Sequence, residues 1–103
     1  MATFALVRSA RFKAWFDGLA DRQGKNRIVA RLIRLEQGNS GDCAPVGEGV
    51  SEMRMHFGPG YRIYFVRRGG PVVYLLTGGD KRSQARDIDE AKAMARELRE
   101  EER

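Results

Sequence analysis

Apolar residues repeat with the period of a helix in the first part of the chain and with the period of a strand in the second part. Ser9 is a favourable helix N-cap, and an apolar stripe with i, i+3, i+4, i+7 spacing follows it: Phe12, Trp15, Phe16 and Leu19. Between Val50 and Phe57, apolar and polar residues alternate one by one, as in a half-buried strand. The change of period predicts that helices come early in the chain and most strands come later.

A second helix is predicted directly after the first. Asp21 is its N-cap and Gly38 its C-terminal stop, and the predicted buried stripe consists of Ile28, Val29, Leu32, Ile33 and Leu35. Only a few residues, from Gly18 to Asp21, join the two helices, so we expect an antiparallel hairpin. Residues 4–7 are short, apolar and partly β-branched, which predicts a first strand before the hairpin.

Turns rich in glycine and proline separate the later strands. The turns at 57–61 and 67–71 enclose a strand over 62–68, and the nearly continuous apolar segment 72–77 is predicted to be a central strand. With one more strand near residues 44–46, the predicted element order is β-αα-ββββ-α.

The last element is a predicted helix with one apolar stripe. Asp87 and Glu90 have the spacing of a capping box, and Ser83 is an earlier alternative start. The stripe consists of Ile88, Ala91, Ala95 and Leu98. At 103 residues the chain has room for a single domain, residues 1–103.

Composition limits the chemistry and the partners. One cysteine and one histidine exclude an internal disulfide, a cysteine cluster and a histidine-rich metal site, so we expect no metal and no cofactor. No apolar run approaches the ~20 residues of a membrane span, and the N-terminus is charged too early for a secretory signal, which predicts a cytoplasmic protein with no membrane partner.

Positive charge is concentrated in the middle of the chain. The net charge is +5, and residues 52–82 alone carry six basic and two acidic side chains. A basic stripe on a folded domain favours a polyanion, most often nucleic acid. The alternative interpretation is that the charge only keeps a small protein soluble.

The alternation predicts a polar surface on one face of two strands. Glu52, Arg54 and His56 share one face, and a turn at Gly58–Gly60 would place the next strand beside them. That strand adds Arg62, Tyr64 and, further along, Arg68, while Lys81 and Arg82 follow the neighbouring strand and reach the rim.

This set of side chains suits metal-independent RNA cleavage. The reaction needs a general base for the 2′-hydroxyl, a general acid for the leaving 5′-oxygen and cations on the phosphate. Glu52 or His56 is the candidate acid or base, and the cations are Arg54, Arg62, Lys81 and Arg82. The alternatives are that His56 is only solvated, that Glu52 only pairs with an arginine and that Tyr64 is structural.

Four segments together resemble the RelE/ParE toxin superfamily, and within it the HigB-like addiction module killer protein group. They are Trp15–Leu19, Val46–Arg54, Gly58–Phe65 and Gly78–Lys81, in the order of the family. The resemblance implies an α+β fold, in which an N-terminal helical hairpin packs on a mostly antiparallel four- to five-stranded sheet with a C-terminal helix.

The resemblance also implies a function. Members are the toxins of type II toxin–antitoxin systems, and the RelE-like ones cut mRNA on the ribosome without a metal. By position, Arg54 and Arg62 match the family's strand and turn arginines, and Lys81 or Arg82 matches its last basic residue. The paired lysines and the C-terminal tyrosine of RelE are missing, so Tyr64 or His56 would take the tyrosine's role.

The expected partners are a cognate helix-turn-helix antitoxin, the ribosome with its mRNA, and operator DNA in a higher-order complex. Two other functions stay open at this point. One is a ParE-like toxin that inhibits DNA gyrase, and the other is an RNA-binding module without enzymatic activity.

Overall fold

The computed structural model describes residues 3–102, which form a five-stranded sheet with helices on both faces. In chain order the elements are β1 (Ala5–Arg8), α1 (Ala10–Asp17), α2 (Arg22–Glu36), β2 (Cys43–Gly47), β3 (Val50–Arg54), β4 (Arg62–Arg68), β5 (Val72–Gly79), a 3₁₀ turn (Lys81–Ser83) and α3 (Gln84–Glu101). The predicted α+β class and element order are confirmed.

The strand order in the sheet is β1-β5-β4-β3-β2. The pairs β2–β3, β3–β4 and β4–β5 are antiparallel, whereas β1 runs parallel to β5. Strand β5 therefore lies inside the sheet, as its apolar sequence predicted. The first strand is shifted by one residue from the predicted 4–7.

One face of the sheet packs against the helical hairpin of α1 and α2. The core between them is built from Phe12 of α1, Ile28 and Leu32 of α2, and inward-facing strand residues such as Met53 and Ile63. The aromatic stripe of α1 is therefore part of the core, because Trp15 and Phe16 pack against the same cluster. The side chains of Val29 and Ile33 are 38% and 48% exposed, so their predicted burial is wrong: the buried face of α2 is narrower than the stripe.

Helix α3 covers part of the opposite face. Ala91 and Ala95 pack with Val50, Tyr64 and Leu76 in a second, smaller core. Small alanine side chains let the helix approach the sheet closely, and α3 packs mainly on β5, with further contacts to β4 and β3.

Helix α3 begins at Gln84, and its N-cap is Ser83. The predicted capping box at Asp87 and Glu90 is wrong, because the box lies at the 3₁₀ turn instead. There the Asp80 carboxylate accepts the backbone N–H of Ser83, and the Ser83 hydroxyl reaches the backbone N–H of Asp80.

Ion pairs connect the C-terminal part of α3 to the β2–β3 turn. Glu48 in this turn has a positive φ of 56°, unusual for a residue with a side chain. Its carboxylate accepts hydrogen bonds from Arg96 at 3.3 Å and Arg99 at 2.5 Å. These contacts hold α3 across the sheet. No helix among the described residues is long and apolar enough to cross a membrane.

Candidate active site

The register of β3 and β4 brings four of the predicted site residues onto one face. Glu52 is directly opposite Tyr64, and Arg54 is directly opposite Arg62. Because side chains alternate along a strand, all four point to the face that α3 partly covers. The predicted polar face thus exists, but α3 encloses much of it.

A buried carboxylate lies at the centre of this face. The Tyr64 hydroxyl donates a 2.9 Å hydrogen bond to Glu52 Oε2, and Gln84 Nε2 of α3 donates one of 2.8 Å to the same oxygen. Glu52 is 3% exposed and Tyr64 is fully buried. Burial and the hydrogen bond to Glu52 raise the pKa of the Tyr64 hydroxyl, so the phenol keeps its proton and acts as a donor.

Arg62 lies two residues before Tyr64 on β4, on the same face, and its guanidinium approaches the Glu52 carboxylate. Its Nε lies 4.0 Å from Glu52 Oε2, and its Nη1 donates a 3.1 Å hydrogen bond to the backbone oxygen of Gly60. Arg62 is 8% exposed, which is low for a guanidinium group. The buried charges of Arg62 and Glu52 compensate each other.

Arg54 adds a second guanidinium beside the first. Its side chain is 36% exposed, and its Nη2 lies 3.7 Å from Asp42 Oδ1. The Nε atoms of Arg54 and Arg62 are both buried without a hydrogen-bond acceptor within residues 3–102. Like charges directly opposite each other destabilise a sheet, and buried donors are rarely left unpaired. Two guanidinium groups with such donors can bind an anion.

Lys81 and Arg82 form an exposed rim next to this arginine pair. Asp80 caps the 3₁₀ turn that carries them and accepts the backbone N–H of Arg82 at 2.9 Å, which leaves both basic side chains directed to solvent. Lys81 lies near Arg62, since a Cβ on Gly60 would be 3.4 Å from Lys81 Cβ and 3.3 Å from Arg62 Nη1.

Two of the predicted site residues lie elsewhere. His56 lies beyond the end of β3 at Arg54 and contacts Asp42 and the groove along α2 instead, so its predicted place beside Glu52 is wrong. His56 is exposed, forms a hydrogen bond with Asp42 and lines a groove against α2. Arg68 is at the other end of β4, ~20 Å from Arg62 at about 3.3 Å per residue, where it pairs with Glu102 at 3.7 Å.

The comparisons with known proteins agree with this architecture. The family model "Phage derived protein Gp49-like (DUF891)" matches residues 14–100. The chain belongs to the Gp49-like family. An uncharacterised protein of Haemophilus influenzae is 41% identical to it over 96 residues, which cover 93% of this chain and 97% of the relative.

The fold of this Gp49-like protein is that of RelE. A structure of E. coli toxin RelE, a double arginine-to-alanine mutant in the free state, superimposes with a TM-score of 0.69 at 14% identity. The match covers 91% of this chain and 97% of RelE. The RelE-like fold that the sequence resemblance implied is thereby confirmed, while the assignment to the HigB-like group stays a prediction.

The two glycines before the 3₁₀ turn of the Gp49-like chain are required by close packing. A Cβ on Gly78 would lie 2.3 Å from the Trp15 ring, and one on Gly79 would lie 1.8 Å from Asp87 Oδ2. Asp87 is buried and accepts a 2.5 Å hydrogen bond from the Ser83 hydroxyl. The contacts at Gly79 place the first turn of α3 next to Arg62, which is the β4 partner of Gly79.

Sequence reasoning missed Gln84 and Asp87 as parts of this site. Gln84 lies outside the predicted apolar stripe of the last helix, and the spacing of Asp87 and Glu90 predicts a cap rather than a site residue. The available signal was the pair Gly78–Gly79, since adjacent glycines in an interior strand indicate a close approach of another element. No group of three or more metal-ligating side chains occurs in the described range 3–102.

Proposed function

We propose that this Gp49-like protein is the toxin of a type II toxin–antitoxin pair and a metal-independent mRNA endonuclease that acts on the ribosome. The observation that carries the proposal is the arginine pair, Arg54 opposite Arg62, whose buried Nε atoms have no hydrogen-bond acceptor within residues 3–102. The Nε of Arg62 lies 4.0 Å from the Glu52 carboxylate. The RelE fold and the Gp49-like family support the same conclusion.

The arginine pair would hold the scissile phosphate. A guanidinium group can bond two phosphate oxygens at once, and it stabilises the negative charge that grows in the transition state. Lys81 and Arg82 at the rim would neutralise the neighbouring phosphates of the strand.

Glu52 is the candidate general base for the 2′-hydroxyl. Its carboxylate lies next to Arg62 and is held in place by the hydroxyl of Tyr64, which makes Tyr64 a positioning residue. Because Gln84 also bonds this carboxylate and Glu52 is 3% exposed, contact with RNA requires Gln84 to give up its hydrogen bond. Arg68, at the far end of β4, would bind phosphate outside this centre.

The partner we propose is a helix-turn-helix antitoxin encoded beside this gene, which would bind the toxin in the cytoplasm and bring it to operator DNA. An exposed basic surface favours a partner of complementary acidic charge. Co-expression with the adjacent reading frame should restore growth and co-purify both proteins. If the adjacent product neither restores growth nor binds, the pairing is wrong.

Pulse labelling after induction tests the target. We expect incorporation of labelled amino acids to stop early, while DNA synthesis continues, because cleavage of mRNA on the ribosome blocks translation first. Early arrest of DNA synthesis instead would identify gyrase as the target and contradict the nuclease. An induced Arg62→Ala variant is the control for effects of overproduction alone.

A further inference from the structure

A second basic surface lies on the opposite side of the sheet from the candidate active site. Three arginines follow one side of α2 with i, i+4, i+7 spacing: Arg27, Arg31 and Arg34. Together with Ala30, His56 and Phe57 they line a groove of about 270 Å³ between α2 and the β3–β4 turn. We call it the α2 groove.

Arg31 is a fixed part of the α2 groove. Its guanidinium donates hydrogen bonds to the backbone oxygens of Arg54 at 2.9 Å, Ser40 at 3.2 Å and Asp42 at 3.4 Å. These bonds use three of its five N–H donors and leave its positive charge in place, since the acceptors are neutral carbonyl groups. The main contribution of Arg31 to the groove is therefore its charge.

Arg27 and Arg34 lie on either side of Arg31 and keep their donors available. Within residues 3–102 neither forms an ion pair or a side-chain hydrogen bond, and Arg27 stacks over the Phe57 ring at 4.8 Å. The charge of Arg27 interacts with the Asp21 carboxylate. This carboxylate already accepts hydrogen bonds from the Gly24 amide and the Tyr61 hydroxyl. The two arginines are ~10 Å apart along the helix at about 1.5 Å per residue.

The acidic groups near the groove do not neutralise it. Asp42 pairs with His56 and Arg54, and the only acidic residue of α2 is Glu36. Glu36 is two positions from Arg34, so the two side chains do not face each other. Three guanidinium groups consequently share one concave surface, and the nearby carboxylates of Asp42 and Asp21 already have other partners.

We propose that the α2 groove binds the phosphodiester backbone of RNA through Arg27 and Arg34. Three guanidinium groups line the groove together with Ala30 and Phe57. Clustered positive charge is typical of nucleic-acid interfaces, whereas the core of a protein interface is depleted of charge. The planar guanidinium fork suits phosphate oxygens. The proposal deepens the proposed function, because it assumes that RNA is the ligand and adds a contact on the face away from the reaction.

The test is binding of a fluorescent oligouridylate with 2′-O-methyl groups, which keeps the phosphates but blocks cleavage at the 2′-position. Arg27→Gln/Arg34→Gln is compared with Arg8→Gln/Lys13→Gln, which removes two exposed charges elsewhere. We expect the groove variant to bind the oligouridylate at least about tenfold more weakly, because it lacks charged hydrogen bonds to the phosphates. Its slope of log affinity against log salt should flatten by about 0.7 per lost contact. The control should bind nearly as wild type does.

Equal losses in both variants, or no loss in the groove variant, would overturn the proposal. The single variant Arg34→Gln removes a side chain without a bonded partner among the described residues, so it tests the groove even if loss of the Arg27–Phe57 contact perturbs folding. Polyglutamate is the second probe. Polyglutamate is added at the same concentration of negative charge as the RNA. If it displaces RNA from the wild-type protein but not from the groove variant, an acidic protein is the occupant instead.

This experiment separates the two proposals. Binding is measured without ribosomes and without cleavage, so a result from pulse labelling that favours gyrase would leave the binding data interpretable. Conversely, a groove variant with unchanged RNA affinity would refute RNA binding by the α2 groove. It would not affect the proposal of a cleavage site under α3.

Discussion

The Tyr64 hydroxyl donates a 2.9 Å hydrogen bond to the Glu52 carboxylate across the β3–β4 pair, and both side chains are buried beneath the first turn of α3. This hydrogen bond contributes both to the stability of the fold and to the geometry of the proposed active site. It fixes the orientation of the carboxylate, and the carboxylate in turn lies beside the guanidinium of Arg62.

Tyr64→Phe should therefore destabilise the protein. The substitution leaves a buried charged acceptor with one donor fewer, which typically costs about 1–3 kcal/mol. Urea unfolding measured by circular dichroism should show a lower midpoint with an unchanged slope. Tyr74→Phe is the matched control, because Tyr74 is half-buried and no side-chain hydrogen bond of its hydroxyl occurs within residues 3–102. Equal midpoints for the two variants would contradict the assigned bond.

Gly79→Ala should destabilise the protein because it displaces the first turn of α3. Its Cβ would lie 1.8 Å from Asp87 Oδ2 and 2.7 Å from Ser83 Oγ, so the first turn of α3 must shift. Overpacking of this kind costs about 1–3 kcal/mol. Gly18→Ala is the comparison, since its Cβ meets only backbone oxygens, at 3.2 Å and beyond. A thermal midpoint for Gly79→Ala equal to that of wild type would show that α3 is not seated as described.

The ion pairs of Glu48 should make stability depend on pH. The hydrogen bond from Arg99, with the charges of Arg99 and Arg96, lowers the pKa of the Glu48 carboxyl in the folded protein. A lowered pKa means that the contribution is complete above the unfolded value of about 4 and is lost as the pH falls through the folded value.

Glu48→Gln should accordingly be less stable than wild type at neutral pH and approach it in acid. Chemical denaturation across pH measures this difference. The control is Glu36→Gln, which removes an exposed carboxylate that forms no ion pair within residues 3–102. A Glu48→Gln deficit that stays constant into acid would show that the ion pairs contribute nothing.

His56→Ala should leave the cleavage rate nearly unchanged. The imidazole lines the α2 groove and is joined to Arg54 through Asp42. Within residues 3–102 it forms no hydrogen bond or ion pair with Arg62 or Glu52, so it is not placed to transfer a proton at the Glu52 carboxylate. The measurement is single-turnover cleavage of mRNA on programmed ribosomes across pH. A rate that drops by ~10²-fold, as removal of a general acid or base produces, would return His56 to the reaction centre.

The sequence predicted the arginine pair because two local signals agreed. The turn at Gly58–Gly60 sets the register of β3 and β4, and the alternation then fixes which side chains share a face. The parallel pairing of β1 with β5 carries no comparable local signal, since it joins residues more than sixty positions apart.

The enclosure of the site was beyond such reasoning. Whether α3 covers the polar face depends on how Gly79, Ser83 and Asp87 pack in three dimensions, and nothing in the period of the helix reveals this. His56 was misplaced for a related reason, because the alternation of a strand was extended past the residue at which its pairing ends.

The most direct test of the central claim is single-turnover cleavage by Arg62→Ala, with Arg67→Ala as the matched control. Arg67 is on the same strand but exposed, and its guanidinium contacts Gly70 and Phe4 at the far end. Losing one charge-stabilising donor costs about 10²- to 10³-fold in rate. We predict that loss for Arg62→Ala, with ribosome binding reduced far less and Arg67→Ala close to wild type. Cleavage by Arg62→Ala at the wild-type rate would contradict the proposed site.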